Sequence, residues 1–154
     1  PLLLPGDLEL VASPFRERDG VESVTLLSPL EGKADFDNPN IVKAVCDRQG
    51  YIMLYSRAPI PHFQKKGDGP VYRETGIRAF EADFLQTYVK LPETPFEWIE
   101  AVDMMRLREH GHQVVGVVTD GVTLGVDHPE EVERIERELR DDPQQRELHA
   151  KITA

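Results

Sequence analysis

Apolar residues fall in short runs along the chain, set apart by clusters of turn formers, and their spacing alternates between strand-like and helical. Leu2 to Leu4 reads as a short strand broken by Pro5-Gly6. Val24 to Leu27 reads as a second strand, and Glu31 to Asn40 as a loop rich in turn formers. Ile41 to Asp47 and Tyr51 to Arg57 flank Arg48-Gln49-Gly50, the pattern of a hairpin. Ala58 to Pro70 holds three prolines and two glycines and predicts a loop. Val71 to Phe80 is the next strand and Ala82 to Lys90 a short helix.

The clearest helix start is Thr94-Pro95-Phe96-Glu97, which supplies an N-cap, a first-turn proline and a carboxylate three residues after the cap. This helix should run to about His110 and stop at Gly111. Gln113 to Thr119 predicts a strand. The segment Leu124-Gly125-Val126-Asp127 then leads into a helix with Pro129 near its first turn and Glu130 and Glu131 complementing its dipole. Interleaved strands and helices point to an α/β fold with a mixed, mostly parallel sheet flanked by helices, resembling an incomplete Rossmann arrangement, plus one antiparallel hairpin. Residues 1–140 form the folded part in this reading, and the polar stretch 141–154 a mobile tail.

At 154 residues the chain has the size of one domain with a real core. Its net charge of −10 argues against a nucleic-acid partner. It leaves room for small anions held by a few placed cations. A single cysteine, Cys46, lies in an apolar run and reads as a buried thiol in a reducing compartment. No stretch has the length of a membrane span and no signal-peptide pattern is present, so a soluble, cytoplasmic protein is expected. The chain opens on Pro1 with no Met, seemingly inside a strand, which suggests the start of a segment within a longer protein.

Two aspartates are candidates for chemistry. Asp7 follows a short apolar strand and should lie at the carboxyl edge of the sheet, where ligands of open α/β sheets gather. Asp127 directly precedes a helix. The pair reads either as two Mg²⁺ ligands facing phosphates or as a turn residue and a helix cap. Arg57, at the end of a hairpin strand and before the rigid Ala58-Pro59-Ile60-Pro61 turn, is a fork placed for a carboxylate or a surface arginine beside a turn. His110 and His112 have no third ligand to converge with and read as a solvated helix end.

The runs Phe36-Asp37-Asn38-Pro39-Asn40-Ile41-Val42-Lys43, Gly50-Tyr51 and Tyr55-Ser56-Arg57-Ala58-Pro59-Ile60-Pro61 closely resemble the cytidylyltransferases that activate 3-deoxy-manno-octulosonate (Kdo). Further matching blocks follow in the family's order: Tyr72-Arg73 with Gly76-Ile77; Phe84-Leu85 with Tyr88-Val89; Pro95, Glu97, Ile99, Glu100 and Arg106; and Gly125-Val126-Asp127 with Pro129-Glu130. The resemblance covers roughly Val24 to Glu138. It implies attack of a sugar acid's anomeric hydroxyl on the α-phosphorus of CTP, with Mg²⁺ on the phosphates, in a homodimer that supplies CMP-sugar for envelope polysaccharide. Carried over by position, Asp127 and Asp7 become metal ligands and Asp127 and Arg57 catalytic residues. Arg57, Glu74, Arg78, Glu97 and Trp98 become the sugar-acid site.

This sequence departs from the family at several of those positions. Glu74 stands where the family has His, Arg78 where it has Tyr, and Trp98 where it often has Gln or His. Asp7 sits in Pro-Gly-Asp-Leu rather than Gln-Gly-Asp-Glu, and no counterpart of the Gly-rich, Arg- and Lys-bearing triphosphate loop occurs. These departures leave a second expectation open, a non-catalytic derivative of the fold that binds a sugar acid or a protein partner.

Overall fold

A computed structural model describes residues 2–65, 69–120, 126 and 129–153. The chain runs α1 (Pro5–Ala12), α2 (Pro14–Glu17), β1 (Ser23–Ser28), α3 (Lys33–Asp37), β2 (Lys43–Cys46), β3 (Ile52–Ser56), β4 (Val71–Phe80), α4 (Ala82–Tyr88), α5 (Pro95–Glu100), α6 (Met105–Glu109), β5 (Val115–Val118), α7 (Pro129–Asp141) and α8 (Pro143–Thr153). The five strands form one sheet in the order β3-β2-β4-β1-β5.

The sheet is mixed, as expected, but not mostly parallel. Among the described residues only β1 and β5 pair in parallel, while β4 runs antiparallel to both β1 and β2, and β2 antiparallel to β3. Strand β4 is therefore the correction: it inserts between β1 and β2 in the opposite sense. The hairpin of β2 and β3 stands as read, with its turn at residues 47–50 and Gly50 at φ 85°.

β1 is buried along its whole length because both sheet faces are covered. On one face Leu27, Ala44, Ile52 and Tyr55 pack with Phe84 of α4 and with Met105 and Leu107 of α6. On the other, Val24, Leu26 and Val115 pack with Val11 of α1 and Phe15 of α2. The buried Tyr55 hydroxyl is satisfied by Thr25 Oγ1 at 3.0 Å.

Three local expectations change. Pro5-Gly6 opens α1 instead of ending a strand, with Pro5 at the first helical position and the Asp7 carboxylate accepting from the Leu4 N–H at 2.9 Å. The helix expected from Pro95 to His110 is two helices, broken where Ala101 adopts the left-handed conformation at φ 51°. The polar stretch expected to be a mobile tail forms α8, which packs on α7 and donates from Gln145 Nε2 to the Leu2 carbonyl at 2.7 Å.

The hairpin turn also reaches β5. Ile52 N–H donates to Val114 O and Gly116 N–H to Gly50 O, both at 2.8 Å, across an isolated bridge between Tyr51 and Val115. Gly116 packs closely there: a Cβ would lie 2.7 Å from Leu27 Cδ1 and 3.2 Å from both Cys46 Sγ and Ile52 Cγ1, so these side chains would have to shift. Gly116→Ala is expected to lower stability by about 1–3 kcal/mol through overpacking, read as a shift of the urea midpoint. An unchanged midpoint would show that this core yields freely.

Candidate functional site

The corner between α5 and α6 gathers most of the residues singled out for the sugar acid. Glu93, Glu97, Trp98, Ala101, Val102 and Asp103 line a cleft of about 480 Å³. Trp98 is exposed, and its Nε1–H donates to Glu93 Oε2 at 2.7 Å. Glu97 is nearly buried and carries the cap: its Oε2 accepts from Thr94 N–H at 3.3 Å. It also accepts two bonds from Arg106, from Nε at 2.8 Å and Nη2 at 2.5 Å. The Arg106 guanidinium in turn lies 5.4 Å from the Tyr88 ring centroid.

The Arg106 hydrogen bonds hold the Glu97 carboxyl below its ordinary range, against the opposing effect of burial. A depressed carboxyl stabilises the fold above its unfolded pKa, near 4.3, and that contribution vanishes as pH falls through the folded value. Glu97→Gln is therefore expected to be less stable than wild type at pH 7 and to match it more nearly below pH 4. Unfolding curves at both pH values check this, and a gap that does not narrow in acid refutes the assignment.

Glu74 and Arg78, both departures from the family pattern, are partners. Four apart in a strand, they share a face, and the bulge of β4 against β1, with Gly76 at φ 81°, sets them opposite Leu27 and Thr25, only two residues apart. Arg78 Nε then lies 3.3 Å from Glu74 Oε1, and Arg78 Nη1 donates to Asp103 Oδ2 at 2.5 Å. Burial pushes the Glu74 carboxyl up, while Arg78 pulls it down. The changed charges at these two positions thus compensate each other, and through Asp103 they reach the same cleft as Trp98.

Arg57 is placed at the end of β3, beside this corner. Its Nε, Nη1 and Nη2 donate to the carbonyls of Glu100, Pro39 and Ala101 at 2.8, 3.1 and 3.3 Å. Lys43, wholly buried in β2, donates from Nζ to the carbonyls of Asn38, Ile41 and Arg57 at 2.8, 2.7 and 2.6 Å. Desolvation lowers its pKa, with further lowering by Arg57. Sequence reasoning gave Lys43 and Glu100 no role. The only signal was their presence in matching blocks.

The second candidate region lies at the end of β5. Asp7 is buried, and Thr119, the residue after β5, donates from Oγ1 to Asp7 Oδ1 at 2.8 Å. Asp7 therefore sits at the carboxyl edge of the parallel pair, as expected, but on α1. It borders a cleft of about 560 Å³ with Gly6, Thr119, Asp120 and Lys151. Both Asp7 oxygens already accept protein donors, and no group of three metal-ligating side chains occurs among the described residues. As arranged, Asp7 has no free oxygen to offer an Mg²⁺ ion. Asp127, the other proposed ligand, lies outside the described residues. Another cleft, of about 730 Å³, lies between α3 and the Pro-rich loop, where Phe36 and Phe63 meet at 5.5 Å.

A family model described as cytidylyltransferase matches residues 1–117. The chain belongs to the cytidylyltransferase family. Among relatives of this cytidylyltransferase chain, the 3-deoxy-manno-octulosonate cytidylyltransferase of Acaryochloris marina is 38% identical over 132 residues, covering 86% of this chain and 54% of the relative. That of Syntrophotalea carbinolica is 38% identical over 149 residues, covering 91% and 60%. An 8-amino-3,8-dideoxy-manno-octulosonate cytidylyltransferase of Shewanella putrefaciens is 34% identical over 140 residues, covering 90% and 57%.

A solved structure of CMP:2-keto-3-deoxy-manno-octonic acid synthetase complexed with CTP superposes with a TM-score of 0.84 at 26% identity. It covers 92% of this chain and 58% of that one. The cytidylyltransferase chain thus spans little more than half the length of these relatives. No helix among its described residues is long and apolar enough to cross a membrane.

Proposed function

We propose that the protein carrying this chain transfers CMP from CTP to Kdo or a related 3-deoxy sugar acid, releasing pyrophosphate, and that this chain supplies the sugar-acid side. The observation that carries the reading is how two of the matching blocks meet. Ser56 and Arg57, which open Ser-Arg-Ala-Pro-Ile-Pro, are bonded to Glu100 at the end of the Pro95 helix. That junction stands beside the cleft that holds Glu97 and Trp98.

In this proposal Glu97, Trp98 and Arg57 border the sugar acid. The Glu74–Arg78–Asp103 network shapes the wall where relatives carry His and Tyr. Asp127 would hold the Mg²⁺ that neutralises charge on the phosphates. Asp7, whose oxygens are already engaged by Leu4 and Thr119, supports that edge from α1 without ligating the ion. The reaction would run in the cytoplasm for envelope polysaccharide synthesis. The protein would be a homodimer, with the β2–β3 hairpin and the loop after it as the contact.

Pyrophosphate release from CTP and Mg²⁺, with Kdo and its 8-amino analogue offered in turn, tests the reading. Release that depends on the sugar acid is expected. Absence of release with every 3-deoxy sugar acid overturns it. The engagement of Asp7 and of the Glu74–Arg78 pair by protein partners favours the second reading, a non-catalytic sugar-acid binder. That reading predicts binding of the sugar acid by calorimetry without pyrophosphate.

A further inference from the structure

Glu100 makes more connections than any role given to it so far requires. Its Oε1 accepts from Ser56 Oγ at 2.7 Å and its Oε2 from the Arg57 N–H at 2.8 Å. Its carbonyl accepts from Arg57 Nε at 2.8 Å, and the next carbonyl, of Ala101, accepts from Arg57 Nη2. Ser56 Oγ passes the connection on by accepting from Ala58 N–H at 3.0 Å. Two residues 43 positions apart thus exchange bonds in both directions, side chain to backbone each way.

The geometry of α5 depends on this exchange. Ala101 sits at φ 51°, ψ 49°, a left-handed conformation that non-glycine residues seldom adopt. Arg57 holds the carbonyls of Glu100 and Ala101 on either side of that residue. The Val102 N–H closes the helix end on the Glu97 carbonyl at 3.2 Å, and Arg57 braces that turn into α6 from outside. Glu97 and Trp98 lie within one turn of Glu100 on the same short helix. Their place relative to Arg78 on the sheet is fixed by where Glu100 is fastened.

We propose that Glu100 is a positioning residue for the sugar-acid edge, acting through Arg57: the two form a reciprocal clamp that seats α5 against the end of β3. This rests on the transferase reading above. Glu100 touches no substrate in it. Charge-assisted bonds of this kind are the stronger class, so losing the carboxylate should loosen the corner without emptying the core.

The test uses the full-length protein with Glu100→Ala and Glu100→Gln. In Glu100→Ala the KM for the sugar acid should rise about tenfold or more, with kcat and the KM for CTP little changed. Amides of residues 100–106 should exchange faster with deuterium. Glu100→Gln keeps the length of the side chain and one acceptor oxygen and should fall between. The proposal is overturned by an unchanged sugar-acid KM, by equal rises in both KM values, or by unchanged amide exchange. Wild-type protein without turnover overturns the transferase reading instead, and calorimetry with Kdo alone then decides the clamp. Binding weakened in Glu100→Ala upholds it; binding that is unchanged, or absent from wild type, sinks it.

Discussion

Asp127→Asn is expected to lower pyrophosphate release about a thousandfold while leaving the unfolding midpoint where it was. The substitution separates the two readings of this residue. Asn caps a helix about as well as Asp, so a residue that only precedes α7 would tolerate the change in both measurements. A residue that meets a cation on the phosphates would not, because the amide has lost the charge that the metal needs. The result also bears on Asp7. Its oxygens are engaged by Leu4 N–H and Thr119 Oγ1, so Asp7→Asn should be felt first as instability of α1. Robust turnover by Asp127→Asn would remove this residue from the chemistry.

Lys43→Met should cost about 3 kcal/mol of stability, the second large effect. The ammonium is wholly buried and fills its three donor positions with the carbonyls of Asn38, Ile41 and Arg57. The half-buried Ile41 and Arg57 carbonyls lose this donor at roughly 1–3 kcal/mol each, while the Asn38 carbonyl keeps the Ile41 N–H at 3.2 Å. The loss is partly offset because an ammonium no longer has to be desolvated. The volume of Met is close to that of Lys, so packing loss adds little. Urea unfolding with an unchanged slope would report the loss. A cost below about 1 kcal/mol would mean that the three segments hold together without the cation.

The sequence exposed the elements better than their pairing. Val71 to Phe80 was legible as a strand, and the hairpin was legible from Gly50 and the two apolar runs around it. What interleaved strands and helices could not show is that β4 enters antiparallel between β1 and β2, because the direction of a strand leaves no mark on its own alternation. Pro5-Gly6 misled because proline suits the first turn of a helix as well as the end of a strand. The break at Ala101 was hidden for a different reason. Its residue type does not mark an alanine as left-handed, and the Arg57 bond that braces the turn comes from more than 40 residues away.

The candidate site was legible as a set of residues and illegible as a set of bonds. Glu74 and Arg78 each looked like a change of charge, and only the bulge of β4 makes them a pair. Glu97 had a visible cap role through Thr94, but its bidentate partner Arg106 lies beyond the helix break. Lys43 is the one charged residue in the apolar run Ile41 to Cys46, and a lysine ordinarily keeps its ammonium in water. The carbonyls that hold it come from a turn and from the end of β3, neither of which carries a side-chain signature.

The place of β1 in the sheet has a consequence for how the protein is made. This interior strand is complete only when the edge strand β5 lies beside it, and the two are separated by about 90 residues of chain. A ribosome adding roughly 5–20 residues per second needs about 5–20 seconds to cover that distance. Throughout that interval Val24 and Leu26, fully buried in the finished molecule, have β4 at most on one flank and open backbone on the other. The nascent chain therefore carries its stickiest strand half-paired for seconds, which is the window in which a holding chaperone would have the most to do.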